Sequence, residues 1–119
     1  MAGDLVLAID MGTQSVRALL FDMRGNLKAK ARVPIYEYDS LSPGLTEKDP
    51  MEFWRVLCQA CQELWQIEGV SKDSVAAVSL TTQRSTVINV DPQGIPLRPA
   101  IVWLDQRRTK HYPPLPLWL

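Results

Sequence analysis

The sequence predicts an α/β domain built on a mixed sheet, and three observations carry that prediction. Three apolar, strand-like runs follow one another between Leu5 and Tyr36, joined by turns short enough for antiparallel pairing. An amphipathic helix with a marked start follows at Asp49-Pro50. Val75 to Leu80 is then a short, nearly all-apolar run, suited to a buried parallel strand reached by that helix.

In chain order, the first strand runs from Leu5 to Met11 and the second from Val16 to Met23. Gly25 and Asn26 tolerate positive φ and supply the next turn. The third strand runs from Leu27 to Tyr36. Leu27, Ala29, Ala31, Val33 and Ile35 alternate with Lys28, Lys30 and Arg32, which gives one polar face. Ser40 to Gly44 reads as a loop. Asp49 is the N-cap of the helix, Pro50 its first residue and Glu52 the partner in a capping box. Glu52, Arg55, Gln59, Gln62, Glu63 and Gln66 form its polar side; Trp54, Leu57, Cys58, Cys61, Leu64 and Trp65 form the apolar side, and Gly69 ends it. Strands Thr86 to Val90 and Ile95 to Leu97 flank a type I turn at Asp91-Pro-Gln-Gly94. Ile101 to Leu104 is the last strand, with Asp105 as cap of a helix from Gln106.

At 119 residues the chain is one ordinary domain, large enough to bury a core without staples. Thirteen basic residues balance thirteen acidic ones, which gives no electrostatic case for nucleic acid or an anionic membrane. No apolar run is long enough for a transmembrane helix, and Asp4 with no basic segment argues against a signal peptide. Cys58 and Cys61 fall inside the helix on its apolar side and read as reduced core thiols of a cytoplasmic protein. His111 is the only histidine, so neither a zinc site nor a Ser-His-Asp arrangement is supported. The stretch from His111 to Leu119 is apolar and proline-rich, which reads as a chain cut within a larger protein.

Three clusters carry candidate chemistry. The turn from Asp10 to Arg17 offers converging backbone N–H groups at Gly12, side-chain donors from Thr13, Gln14 and Ser15, and the charge of Arg17. Asp10 at its mouth is a carboxylate of the kind magnesium takes alongside waters and phosphate oxygens. By itself the pattern fits a plain hairpin as well as an anion cradle. It is neither a P-loop nor a dinucleotide fingerprint, because both glycine spacings are absent. Thr81-Thr-Gln83-Arg84-Ser85 follows the buried strand, where open α/β sheets place their ligands, and Arg84 suits sugar hydroxyls or a surface ion pair. Trp103, beside Asp105 and Arg107, suits the C–H face of a polyol or a place in the core.

These clusters occur in an order that resembles the N-terminal part of the FGGY carbohydrate kinases, a family related to actin, Hsp70 and hexokinase. The matching residues are Ala8-Ile-Asp10-Met-Gly12-Thr13-Gln-Ser15-Val-Arg17, Glu47-Lys-Asp49-Pro50 with Trp54, Gln83-Arg84-Ser85-Thr86, and Pro96 through Trp103 to Arg107. The resemblance implies a ribonuclease-H-like fold, truncated here, with residues 1–119 forming the N-terminal part of the first kinase domain. It implies transfer of the ATP γ-phosphoryl group to a sugar or polyol hydroxyl with magnesium. Asp10 would then be a metal ligand, and Gly12, Thr13, Gln14, Ser15 and Arg17 would contact phosphate. Arg84, Ser85 and Trp103 would line the sugar site.

Glycerol kinases of this family carry glutamate where Ser85 stands, and xylulokinases carry Met-His at Arg84-Ser85, so neither substrate is implied. The family's catalytic aspartate and adenosine pocket lie beyond Leu119, and phosphoryl transfer depends on both walls of the cleft. The fragment alone is therefore expected to be inactive and to self-associate through exposed apolar surface such as Trp118. The alternative from another class is a non-catalytic relative that senses nucleotide or binds a partner.

Overall fold

Strand β1 (Leu5–Met11) pairs antiparallel with β2 (Ser15–Asp22), and β2 pairs antiparallel with β3 (Leu27–Pro34). This meander appears in a computed structural model of the chain, which describes residues 3–36 and 38–108. The first turn of the chain after Gly12 is followed by a second built by Asp22. Its Oδ1 accepts from Arg24 N and Asn26 N, both at 2.9 Å, while Gly25 takes a φ of +82°. The Asn26 side chain donates to the same carboxylate and holds it below its ordinary pKa.

The alternation in β3 appears from Ala29 onward, whereas Leu27, read as part of the apolar face, is exposed and the strand ends at Pro34, short of Tyr36. Ala29, Ala31 and Val33 are buried, and Lys28, Lys30 and Arg32 face solvent. Val16, Ala18 and Leu20 of β2 point the same way, toward helix α1 (Pro50–Trp65), which packs on β2 and β3. Asp49 caps α1, accepting from Met51 N at 2.9 Å with Pro50 opening the helix. Glu52 pairs with Lys48 at 2.7 Å, in place of the capping-box partner expected of it. The buried stripe is Phe53, Val56, Ala60 and Leu64 at three- and four-residue steps. Trp54 is a correction: it stands one position off that stripe and is mostly exposed. The helix also ends at Trp65, before the turn in which Gly69 adopts a φ of +78°.

After a 3₁₀ turn at Lys72–Ser74, strand β6 (Val75–Thr81) enters parallel to β1, giving the sheet order β3-β2-β1-β6. Its direction agrees with the sequence reading, but its burial does not. Val78 and Leu80 are more than half exposed, because β6 is the sheet edge among the described residues and α1 covers the β2–β3 side.

A second, small sheet has the order β4-β5-β7, from β4 (Asp39–Ser42), β5 (Leu45–Lys48) and β7 (Ala100–Ile101). The expected loop at Ser40 to Gly44 is instead the arm and tip of the β4–β5 hairpin, with Gly44 at a φ of +83°. The last strand, expected over Ile101 to Leu104, is instead Ala100–Ile101, antiparallel to β5, and Val102 to Leu104 are not strand. The Asp91–Gly94 turn forms, with Asp91 Oδ1 accepting from Gln93 N and Ile95 N, but its flanks make only single bridges. No helix begins at Gln106 among the described residues, and His111 to Leu119 lie outside them.

The cap and the ion pair at Asp49 are separable. Asp49→Ala should cost about 1 kcal/mol of stability by loss of the helix cap. Asp49→Asn keeps an acceptor for Met51 N and loses only the exposed pair with Arg55, so its urea midpoint should stay near wild type.

Candidate functional site

Asp10 lies near the carboxyl end of β1, where the ladder sets it opposite Arg17 on β2 and Thr81 on β6. Register alone therefore brings three polar side chains abreast. Arg17 Nη1 donates to Asp10 Oδ2 at 2.5 Å and Thr81 Oγ1 donates to Oδ1 at 3.1 Å. The carboxylate remains about two-fifths exposed, open to a further cation.

The turn beyond Asp10 is closed by Gly12 N, which donates to Ser15 O at 3.1 Å. A Cβ on Gly12 would stand 2.8 Å from that same carbonyl, and a backbone atom cannot rotate away. Tyr38 Oη pins the turn by donating to Thr13 O at 2.5 Å, and Ile35 N donates to Gln14 O. Burial pushes the Tyr38 phenol above its ordinary value against the hydrogen bond with Gln83, so it stays a donor at neutral pH.

Asp10, Gly12 and Thr13 line an open cleft of about 460 Å³ at the carboxyl ends of β1 and β6. Gln83, Arg84, Ser85 and Trp103 line the same cleft, with Trp103 in contact with Thr13. Six of the residues singled out in the sequence thus meet around one cavity. Arg84 is exposed and has no hydrogen-bond or ionic partner among the described residues, which leaves its guanidinium available to a ligand. Ser85 adopts a φ of +66°, the left-handed region that a side chain enters at some cost. Trp103 is half exposed and anchored by its indole N–H, which donates to Thr13 Oγ1 at 2.8 Å.

The other three candidates lie outside that lining. Gln14 is exposed on the turn. Ser15 is buried and its hydroxyl accepts from Arg32 Nε at 3.1 Å, a contact that ties β2 to β3. Arg17 reaches the site through Asp10. Cys58 and Cys61 are half-buried free thiols on α1, away from the cleft, and burial pushes the Cys61 thiol up.

Sequence reasoning missed the ionic clamp that fixes the Trp103 segment. Glu47 of β5 is buried and accepts from Arg98, and from Arg107 Nη2 at 2.8 Å. Arg107 also reaches Asp105 Oδ2 at 2.6 Å, and Asp105 accepts from Thr46 N at 2.7 Å. The Arg107 side chain holds the Asp105 carboxyl well below the usual carboxylate range, opposed by burial and assisted by Thr46 N–H. Pairing with Asp105 and Glu47 raises Arg107 in turn. Arg107, expected at a solvated helix start, instead staples the end of this segment to β5. No local signal announced it, since Leu45–Lys48 is one apolar residue followed by three polar ones and shows no alternation.

As to metal, no group of three or more ligating side chains occurs among the described residues. One carboxylate with a neighbouring hydroxyl does fit magnesium carried in by phosphates, which needs only one or two carboxylates.

A meander, a helix and a parallel strand form a mixed sheet of the class shared by actin, hexokinase and Hsp70. Within that class, a sequence model of the FGGY family of carbohydrate kinases, N-terminal domain, matches residues 5–113. The chain belongs to the FGGY family of carbohydrate kinases. It is 39% identical over 108 residues to a glycerol kinase from Synechocystis, covering 90% of this chain and 21% of that protein. Among solved structures it is similar to a xyloylose kinase from Brucella ovis, with a TM-score of 0.81 and 27% identity over 87% of this chain and 22% of the other. It is also similar to a Plasmodium falciparum glycerol kinase solved with ADP, with a TM-score of 0.72 and 35% identity over 87% and 21%. The chain spans about a fifth of the length of the relatives it matches.

The clamp has a signed pH dependence. Because Asp105 is depressed in the fold, its contribution is fully present above the ordinary carboxylate value of about 4. It is lost as pH falls from there through the depressed value. Urea midpoints of wild type should drop steeply below pH 4, and Asp105→Asn should lower the midpoint at pH 7 while flattening that drop.

Proposed function

We propose that the protein to which this chain contributes its N-terminal segment transfers the γ-phosphoryl group of ATP to a hydroxyl of a sugar or polyol. The observation that carries this reading is one cleft lined both by Asp10, Gly12 and Thr13 and by Arg84, Ser85 and Trp103. The first set suits phosphate and the second suits a small polar molecule with a C–H face. Family membership and the ADP in the Plasmodium relative support the nucleotide part.

In this reading the Thr13 hydroxyl lines the phosphate path, Gly12 lets the turn close tightly beside it by donating its N–H to Ser15 O, Gln14 and Ser15 hold the turn's shape, and Arg17 supplies positive charge. Asp10 would hold magnesium, which neutralises charge on the transferring phosphoryl group when bound. Arg84 donates to carbohydrate hydroxyls, Ser85 donates to or accepts from one, and Trp103 stacks beneath the ring or chain. Ser85 sets the substrate apart from those read by a carboxylate at that place, because a carboxylate offers two charged acceptor oxygens and a serine hydroxyl a single neutral one that also donates. Residues 1–119 form part of the first kinase domain, and the proton acceptor and adenosine wall belong to the remainder. The enzyme works in the cytoplasm, where ATP is present and thiols such as Cys58 and Cys61 stay reduced.

The test is an assay of the intact enzyme with ATP and magnesium against polyols, pentuloses and hexuloses. Asp10→Ala should lower kcat/KM on the order of 100-fold or more, as loss of transition-state charge stabilisation does. Arg84→Ala should raise the carbohydrate KM and leave the nucleotide KM near wild type. ADP release with none of these acceptors, together with an inert Asp10→Ala, overturns the reading. The chain by itself should show no turnover and millimolar or weaker ATP affinity, about 4 kcal/mol, by calorimetry.

A further inference from the structure

Gln83 and Thr86 are given no substrate contact by the reading above, yet they connect its two halves. Trp103 N donates to Thr86 Oγ1 at 3.3 Å, and Thr86 Oγ1 donates to Gln83 Oε1 at 3.2 Å. Gln83 Nε2 donates to Gly12 O at 2.9 Å. On the other arm Trp103 Nε1 donates to Thr13 Oγ1, and the peptide from Gly12 to Thr13 completes a ring.

The direction of every bond in this ring is dictated by chemistry. Backbone and indole N–H groups only donate, and a carbonyl only accepts. Thr86 must therefore accept from Trp103 and turn its own proton to Gln83 Oε1. That fixes the Gln83 amide, with oxygen toward Thr86 and nitrogen toward the Gly12 carbonyl. At Thr13 the indole occupies the hydroxyl as an acceptor. Nothing among the described residues takes the Thr13 hydroxyl proton, and Thr13 lines the cleft.

We propose that Gln83 and Thr86 are positioning residues of the kinase: they lock the phosphate turn and the Trp103 platform into one register and leave the Thr13 hydroxyl aimed as a donor into the cleft. This rests on the kinase reading for the identity of the two substrates. The ring makes the two subsites one object, so opening it at Thr86 or Gln83 loosens both. A residue that only touches carbohydrate affects one of them.

The experiment uses the intact enzyme with Thr86→Val, Thr86→Ser and Gln83→Glu. Thr86→Val strands Gln83 Oε1 and Trp103 N, and should raise the KM of both ATP and carbohydrate about tenfold. Thr86→Ser keeps the hydroxyl and should restore both. Gln83→Glu sets an acceptor against the Gly12 carbonyl and should match Thr86→Val; being isosteric, it decides the matter if the valine variant does not fold. A rise in carbohydrate KM alone, or unchanged constants in both variants, overturns the proposal. Trp103 emission, taken as the difference from the same protein carrying Trp103→Phe, gives a readout that needs no turnover. Thr86→Val and Gln83→Glu should shift it as Thr13→Val does, and Thr86→Ser should not. If that pattern holds while no carbohydrate is phosphorylated, the kinase reading fails and the ring stands. If phosphorylation is normal and the emission unmoved in Thr86→Val, the ring fails and the kinase reading stands.

Discussion

The position of β1 between an antiparallel and a parallel neighbour is the constraint on which the rest of the site depends. Two ladders meet at Asp10, one setting Arg17 beside it and the other Thr81. A slip of one residue in either ladder would turn the partner to the opposite face of the sheet. The parallel ladder also decides where the chain leaves β6. Gln83 follows Thr81 by two residues, and so arrives at the carbonyl of Gly12, two residues after Asp10 on the adjacent strand.

A cleft between loops is usually mobile, because loops carry few buried contacts. Here the segment from Arg98 to Arg107 is fastened at several points. Its ends are held by Glu47 and by the Asp105–Thr46 contact, and its middle by β7 on β5. Trp103 stands between those anchors. Its half-exposed ring is thus held by a buried ionic network on one side and by Thr13 on the other. The pairing of Arg107 with two carboxylates, both of them almost wholly buried, explains why this arginine is structural. Losing one partner would leave a buried charge without its counter-ion.

What was legible in the sequence is what local physics decides. The strands β1 to β3 follow from alternation and turn chemistry, and α1 from Asp49, Pro50 and an apolar stripe. The turn after Asp10 was legible as a turn because Gly12 stands between two strand-like runs, but the same pattern fits a plain hairpin as well as an anion cradle. The β4–β5 hairpin was not, since β5 gains its second neighbour from Ala100 and Ile101, some fifty residues later. Glu47 and Lys48 are also poor strand formers by propensity, and their burial depends on Arg98, Arg107, Glu52 and the Tyr36 carbonyl. Trp54 was misplaced because the helix pattern fixes an apolar sector and not its centre, which α1 sets by packing Ala60 and Leu64 flush against the sheet. Among the site residues, a sequence shows that Ser15 is near the turn but not that its hydroxyl points at Arg32.

The exposed edge bears on what the cleft can do. Val78 and Leu80 of β6 stand open, and an apolar hollow of about 310 Å³ lies between Leu80, Ile88 and Phe53 of α1. A strand of that composition is stable when both its faces are covered. The polar cleft adjoins that hollow at Met11, Thr82 and Gln83 and is likewise open. Electrostatic stabilisation of a transferring phosphoryl group grows as water is excluded, and an open wall leaves Asp10 and Arg17 screened. Under the proposed reading the turn after Asp10 receives a phosphate, and Gly12 is committed to it because the Ser15 carbonyl leaves no room for a Cβ.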